Sequence, residues 1–267
     1  MSLDLGPALL FCPADRPDRY AKAAERSDAV ILDLEDAVAP EDKVDGRRAL
    51  LEHPLDPATT IVRVNALDTD DHALDLAALE QTAYRTIMLA KAVGVHGLEG
   101  YSVIALCETA AGVLAAETLA AQPHVVALMW GAEDLVASLG GSSSRHDDAH
   151  YRDVAVHARA RVLLAAGAHG KAAIDAVHLD IADLEGLGAE ARDAAAQGFA
   201  ATACIHPSQV ETVRAAYRPS EAEVAGARRV VAAAAGAAGV FVLDGRMIDE
   251  PVVRHARRVL QRAGVAT

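Results

Sequence analysis

Eight short apolar runs, most of them followed by a longer stretch with helical character, recur along most of this chain. They are ALLFCP (8–13), AVILDLED (29–36), TIVRVNA (60–66), TIMLAK (86–91), SVIALCET (102–109), VVALMWG (125–131), AIDAVHLD (173–180) and TACIHP (202–207). Runs that stay apolar, rather than alternating with polar residues, mark strands buried on both faces, and such strands pair in parallel through crossover helices. Segments such as RPDRYAKAAERS, EDKVDGRRALLEH and YRDVAVHARARVLLAAGA supply the crossovers. Eight such units in roughly 210 residues predict a closed (β/α)8 TIM barrel rather than an open sheet. Only GVHGLEGY separates strands four and five, so that crossover is expected to be short.

The pattern changes after strand eight. A helix (SEAEVAGARRVVAAAAGAAG), a strand pair (GVFVLDGRMID) and a terminal helix (EPVVRHARRVL) lie outside the barrel count. The expected organisation is therefore a barrel over residues 1–218 and a C-terminal helix/hairpin lid extension over residues 219–267.

In barrels of this kind, catalytic groups project from the C-terminal strand ends. Strand two closes with Asp33, Leu34, Glu35 and Asp36, strand three carries Arg63 and Asn65, and strand four ends at Lys91. Strand five ends at Glu108, strand six is followed by Glu133 and Asp134, strand seven ends at Asp180 and strand eight at His206. Taken singly, Asp33, Asp36, Glu108 and Asp134 could cap helices, and His206-Pro207 reads as a turn before a helix. Arg63 is harder to explain that way, because an arginine in an apolar strand needs acids around it. Together, a ring of carboxylates without cysteine ligands suits Mg2+ or Mn2+. Such an ion acts as a Lewis acid on substrate oxygens, and Arg63 would orient a carboxylate or polarise a carbonyl. Nucleophilic catalysis is not supported, since no G-x-S-x-G elbow exists and no cysteine has a credible histidine partner.

Composition narrows the classes further. A formal net charge of -13 disfavours nucleic acid and anionic membranes as partners. Cys12, Cys107 and Cys204 sit in apolar runs without metal-like spacing and read as reduced residues. With neither a membrane-length apolar segment nor a leader-like N-terminus, a soluble cytoplasmic protein is expected. Aromatic residues are 3% of the chain, so the core must be built from Ala, Val, Leu and Ile.

The motifs CPADRPDRYAKA (12–23), VILDLEDAVAPEDK (30–43), VRVNA (62–66), ALCETAAG (105–112), MWGAEDLVASLGGSSSR (129–145), AIDAVHLDIADLEGL (173–187), CIHPSQV (204–210) and DGRMIDEPVVRHA (244–256) span nearly the whole chain. In that order they resemble the citrate lyase beta-subunit-like branch of the aldolase/CoA-lyase superfamily, which includes malyl-CoA lyases. The resemblance implies that Glu108 and Asp134 ligate Mg2+ and that Arg63 stabilises a developing enolate. It implies that Glu35 and Asp36 hold metal-bound waters, that the GGSSSR loop wraps the substrate, and that Arg16 and Lys22 meet the phosphates of coenzyme A. Asp249, on the C-terminal lid, would exchange a proton with the acetyl carbon. In relatives that lid comes from a neighbouring subunit, which implies a homotrimer or a dimer of trimers.

Two departures stand out. Ala90 precedes Lys91 where relatives commonly have proline, and the segment from Val93 to Tyr101 is short, so a helix there is expected to be reduced or missing. The reaction expected is metal-dependent cleavage or formation of a short β-hydroxyacyl-CoA (malyl-, citramalyl- or hydroxymethylglutaryl-CoA type), giving an oxo acid and an acyl-CoA enolate. Its rivals are a beta-type subunit acting on a carrier-bound citryl thioester, a malyl-CoA thioesterase, a coenzyme A-independent oxo-acid aldolase and a non-catalytic subunit. Relatives of the aldolase kind carry histidine directly after the strand-two acid, where this chain has Asp36.

Overall fold

The computed structural model describes residues 5–237 and 239–265. Eight parallel strands close into a barrel in sequence order, with β8 pairing back onto β1. They are β1 (Ala8–Pro13), β2 (Ala29–Asp33), β3 (Thr60–Val64), β4 (Thr86–Leu89), β5 (Ser102–Cys107), β6 (Val125–Trp130), β7 (Ala172–Asp175) and β8 (Ala201–Cys204). The crossovers carry α1 (Tyr20–Arg26), α2 (Lys43–Glu52), α3 (Asp70–Leu79), α4 (Ala110–Ala120), α5 (Ala132–Ser138), α6 (Asp153–Ala168) and α7 (Leu184–Gln197), and α8 (Val210–Tyr217) follows β8. As expected, the segment between β4 and β5 contains turns and no helix.

Alternate residues of each strand face the interior. Leu9, Ile31, Ile61, Met88, Ile104 and Met129 belong to one buried cluster that fills the barrel with branched and flexible aliphatic side chains. The intervening residues pack outward under the helices, where alanines such as Ala116, Ala158 and Ala191 let the helices approach closely. Several crossover helices start on a side-chain cap. Thr69 accepts from the His72 N–H, Thr109 from the Gly112 N–H, and Asp183 from the Gly186 N–H.

Strand seven is shorter than the sequence suggested. It ends at Asp175, so Asp180 lies in the following loop, where it accepts from the Ala182 N–H at 2.9 Å. The apolar alternation of AVHL runs on, but His178 turns its Nδ1 to Glu190 of α7 (3.0 Å), and its carbonyl accepts from the Gln209 amide (2.8 Å). Those bonds draw the chain out of the ladder.

The chain divides into two compact units, Met1–Arg214 and Ala215–Thr267. In the second, α9 (Glu221–Ala234) and α10 (Glu250–Arg262) pack through Ala227, Ala256, Val259 and Leu260, and β9 (Phe241–Leu243) pairs with β10 (Arg246–Ile248) as an antiparallel hairpin. Among the described residues, no helix is long and apolar enough to cross a membrane.

Candidate active site

Register between β2 and β3 places Asp33 directly beside Arg63. Arg63 donates through Nε and Nη2 to the two carboxylate oxygens of Asp33, at 2.7 and 2.6 Å. Its Nη1 stands 3.2 Å from Glu35, and the guanidinium lies 4.8 Å over the Phe11 ring. Burial opposes the charge of Arg63, but Asp33 and then Glu35 outweigh it and raise its pKa. Asp33 is fully buried, and its oxygens also accept the N–H groups of Glu35 (2.9 Å) and Ala37 (3.2 Å). One carboxylate thus fixes both the arginine and the turn that presents Glu35 and Asp36. Asn65 clamps the same turn, since its amide donates to the Leu34 carbonyl (3.0 Å) and to buried Asp75 (2.7 Å).

Lys91 lies two residues beyond β4 in the left-handed region, with φ of 49°. For a side chain with a Cβ that conformation costs on the order of 1 kcal/mol. Its N–H donates to Glu108 at 3.0 Å, and its ammonium hydrogen-bonds Glu35 and, at 3.1 Å, Asp36. Burial raises the pKa of Glu35, against the pull of Arg63 and Lys91. More exposed Asp36 is lowered instead: burial is the largest single influence on it, but Lys91, Glu35 and Arg63 together outweigh it.

Glu108 follows β5 and is buried against Gly131, the residue after β6. A Cβ on Gly131 would stand 2.9 Å from the Glu108 Cβ and 3.1 Å from its Oε2, so only glycine leaves room for this carboxylate. Burial, and then the charge of Asp134, push the Glu108 carboxyl up to about 8. Asp134 sits in the first turn of α5. Both carboxylates line a pocket of about 190 Å³ together with Asp33, Arg63 and Glu133. Phe11, Leu106, Met129, Val177 and Ile205 form its apolar wall.

Pairing sorts the carboxylates at this mouth. Asp33 is bound by Arg63, Glu35 and Asp36 are bound by Lys91, and Glu133 accepts from the Ser144 hydroxyl at 2.5 Å. Among the described residues no side-chain cation stands within ion-pair distance of Glu108, and Asp134 meets Lys91 only at 3.9 Å. Two under-neutralised, all-oxygen donors fit a hard divalent cation that keeps several waters, as Mg2+ does. No group of three or more His, Cys, Asp or Glu able to hold a metal occurs among the described residues, so an ion between these two would take its remaining ligands from water or substrate.

The other residues singled out by sequence lie elsewhere. Arg16, in the loop after β1, makes a two-pronged exposed pair with Asp18 at 3.0 Å, and Lys22 is exposed on α1. Asp249 belongs to the second unit and caps α10, accepting from the Val252 N–H at 3.3 Å. The glycine- and serine-rich stretch 140–145 ends in an anchor. Arg145 binds Glu190 at 2.5 Å, stacks 3.7 Å over the Tyr151 ring and pairs with Tyr151 through a β-bridge. His206 caps the turn before α8, its Nδ1 accepting from the Ser208 N–H at 3.2 Å. The three cysteines are free and buried, and burial pushes the Cys12 thiol up to about 11 and those of Cys107 and Cys204 up to about 12, away from nucleophilic use. Asp33, Asn65 and Lys91 are the participants that sequence reading left without a role.

Fold and site together define a (β/α)8-barrel enzyme with a carboxylate-rich mouth braced by one partly buried arginine. The chain belongs to the HpcH/HpaI aldolase/citrate lyase family, whose profile matches residues 8–92 and 90–207. It is 58% identical over 265 residues to the citrate lyase subunit beta-like protein of Mycobacterium tuberculosis, covering 98% of this chain and 97% of that one. The crystal structure of CitE from Mycobacterium tuberculosis in complex with magnesium, acetoacetate and coenzyme A superposes with a TM-score of 0.94 at 57% identity, covering 98% of this chain and 99% of that one. A (3S)-malyl-CoA thioesterase of Cereibacter sphaeroides is 34% identical, and the L-malyl-CoA/beta-methylmalyl-CoA lyase of Rhodobacter capsulatus is 31% identical; each match covers 96% of this chain and 94% of the relative.

Proposed function

We propose that this protein is a Mg2+-dependent carbon–carbon lyase that cleaves, or in reverse forms, a short β-hydroxyacyl-CoA of the malyl, citramalyl or hydroxymethylglutaryl type. The supporting observation is that Glu108 and Asp134 line one pocket, Glu108 without a side-chain cation at ion-pair distance among the described residues and Asp134 no nearer to Lys91 than 3.9 Å, beside an arginine held in place on two sides. Bound between those carboxylates, Mg2+ would supply Lewis-acid polarisation of the substrate's hydroxyl and carboxylate oxygens. Asp33 takes two N–H groups of the Arg63 guanidinium, which has five donors, so others remain to meet the thioester oxygen as negative charge develops there. Glu35 and Asp36, fixed by Lys91, would order water around the cation. The apolar wall of Phe11, Leu106 and Met129 keeps bulk water from the bond being broken and strengthens these charge interactions.

Asp249 is assigned the proton exchange with the acetyl carbon, delivered by the C-terminal unit of a neighbouring subunit in a homotrimer or dimer of trimers. Arg16 and Lys22 are assigned to the phosphates of coenzyme A, and the 140–145 loop to the acyl chain. The relatives that bind magnesium with acetoacetate and coenzyme A, or that act on malyl thioesters, support this substrate class. The 34% identical thioesterases support a second outcome, hydrolysis of the thioester after condensation.

The test is cleavage of malyl-, citramalyl-, hydroxymethylglutaryl- and citryl-CoA with Mg2+, with EDTA, and by Asp249→Ala and Glu108→Gln. An oxo acid and an acyl-CoA as products, lost in all three controls, establish the lyase. Free coenzyme A and a hydroxy acid establish the thioesterase, and activity only on a carrier-bound substrate overturns the coenzyme A assignment.

A further inference from the structure

We propose that Lys91 is a positioning residue that sets the balance between cation and anion binding at the barrel mouth; the inference rests on the metal-dependent reading above. Its main chain and side chain do separate things. The left-handed conformation turns its N–H onto Glu108, at 3.0 Å. The ammonium reaches the other way, to Glu35 and Asp36 after β2, and stands 3.9 Å from Asp134 of α5. One residue thereby touches both carboxylates of the metal pair and both members of the neighbouring acid pair. A strained conformation held this firmly points to a function at the place where it occurs.

The second link runs through Glu35. Lys91 takes one of its oxygens while the other lies 3.2 Å from Arg63 Nη1. With the ammonium present, Glu35 is shared between two cations, and Arg63 keeps positive charge to offer an anionic substrate. Without it, Glu35 belongs to Arg63 alone, and the mouth carries one more negative charge. The ammonium beside Asp134 also opposes a divalent cation held there. Removing it therefore strengthens cation binding and weakens anion binding, whereas the loss of a purely structural contact would weaken both.

Lys91→Asn separates the two roles, because asparagine tolerates the left-handed region and so preserves the N–H bond to Glu108. Lys91→Arg returns the charge, and Lys91→Gln serves as a second neutral variant should Lys91→Asn not fold. Mn2+ affinity is measured without substrate by electron paramagnetic resonance, and pyruvate affinity at saturating Mg2+ by the fluorescence of Trp130, which lines the pocket. Partly solvated charges a few ångströms apart predict shifts of about tenfold, tighter for Mn2+ and weaker for pyruvate, with Lys91→Arg restoring both to within ~3-fold. Melting temperature is followed in parallel to confirm that the neutral variant is folded. If wild-type protein binds Mn2+ but the folded neutral variant moves both affinities in one direction, or neither by more than twofold, the role of Lys91 is overturned and the metal-dependent reading stands. If wild-type protein binds no Mn2+, that reading falls and takes this inference with it.

Discussion

Replacing Asp33 by asparagine keeps the shape of the side chain and removes only its charge, so it isolates what the Asp33–Arg63 pair contributes. The carboxylate is fully buried and receives four N–H groups, two from Arg63 and one each from Glu35 and Ala37. Asparagine cannot accept them all, because its amide nitrogen sets a donor against a donor at one oxygen position. Removing one partner of a buried ion pair costs about 3–5 kcal/mol, since the other charge is left uncompensated. Glu35 at 3.2 Å still covers part of the guanidinium, which places the expected loss near the lower end, about 3 kcal/mol. For a chain of this size that corresponds to a fall in Tm of roughly 6–12 °C. The assay is thermal unfolding followed by circular dichroism for Asp33→Asn, Arg63→Leu and the double variant. The double variant should lose less than the sum of the two singles, because neither charge is then left buried alone. A single variant melting within ~2 °C of wild type, or strict additivity of the two, would refute the reasoning.

As a proposed metal ligand, Glu108 would tie metal binding to pH. With its carboxyl raised to about 8, the metal-free protein carries a proton there at neutral pH, so divalent binding should release up to about one proton at pH 7 and strengthen as pH rises toward 8. Calorimetry in buffers of different ionisation enthalpy measures that release, and Glu108→Gln should abolish it. The sign for stability is opposite: a carboxyl raised from 4.5 to about 8 favours the metal-free fold below 4.5 and progressively loses that contribution as pH climbs to 8. The Tm of wild type relative to Glu108→Gln should accordingly fall across this window and recover with Mg2+. Gly131→Ala should fold yet bind Mn2+ at least ~10-fold more weakly, because its Cβ at 2.9 Å displaces the Glu108 side chain; unchanged affinity would mean that the carboxylate yields without cost. Arg145→Ala should release the 140–151 segment from Glu190 and Tyr151, raising KM for the thioester several-fold while leaving Mn2+ affinity unchanged, which steady-state kinetics and metal titration together resolve.

Much of the barrel is legible in the sequence because strands buried on both faces are apolar throughout, and the runs at 8–13, 29–36 and 125–131 contain β1, β2 and β6. Boundaries were less legible where hydrophobicity outlasts the ladder. Nothing in AIDAVHLD says that the strand stops at Asp175, since the stop comes from bonds to Glu190 and Gln209, 12 and 31 residues further on. Arg63 announces itself as a lone cation in an apolar strand, but Asp33 does not, because an acid ahead of a helix looks the same whether it caps that helix or grips an arginine. Distinguishing the two takes the register of β2 against β3, which is a property of the closed barrel. Lys91 is hidden for a related reason: its left-handed backbone lies where sequence preference would place glycine or asparagine.

The sequence also lists carboxylates at the strand ends without saying which are available. Counting them suggests a metal site; pairing them narrows the candidates. Arg63 binds Asp33 and Lys91 takes Glu35 and Asp36, while Glu133 meets only the neutral Ser144 hydroxyl, so among the described residues the carboxylates at this mouth short of a close cation are Glu108, Glu133 and Asp134, which include the two that the family resemblance named as ligands. Agreement between a charge ledger and a motif match carries weight because the two draw on different information. The pairing rests on distances between strand ends, whereas the motif rests on residue order. A site in which the motif residues were already neutralised by arginine or lysine would have kept the family likeness and lost the chemistry.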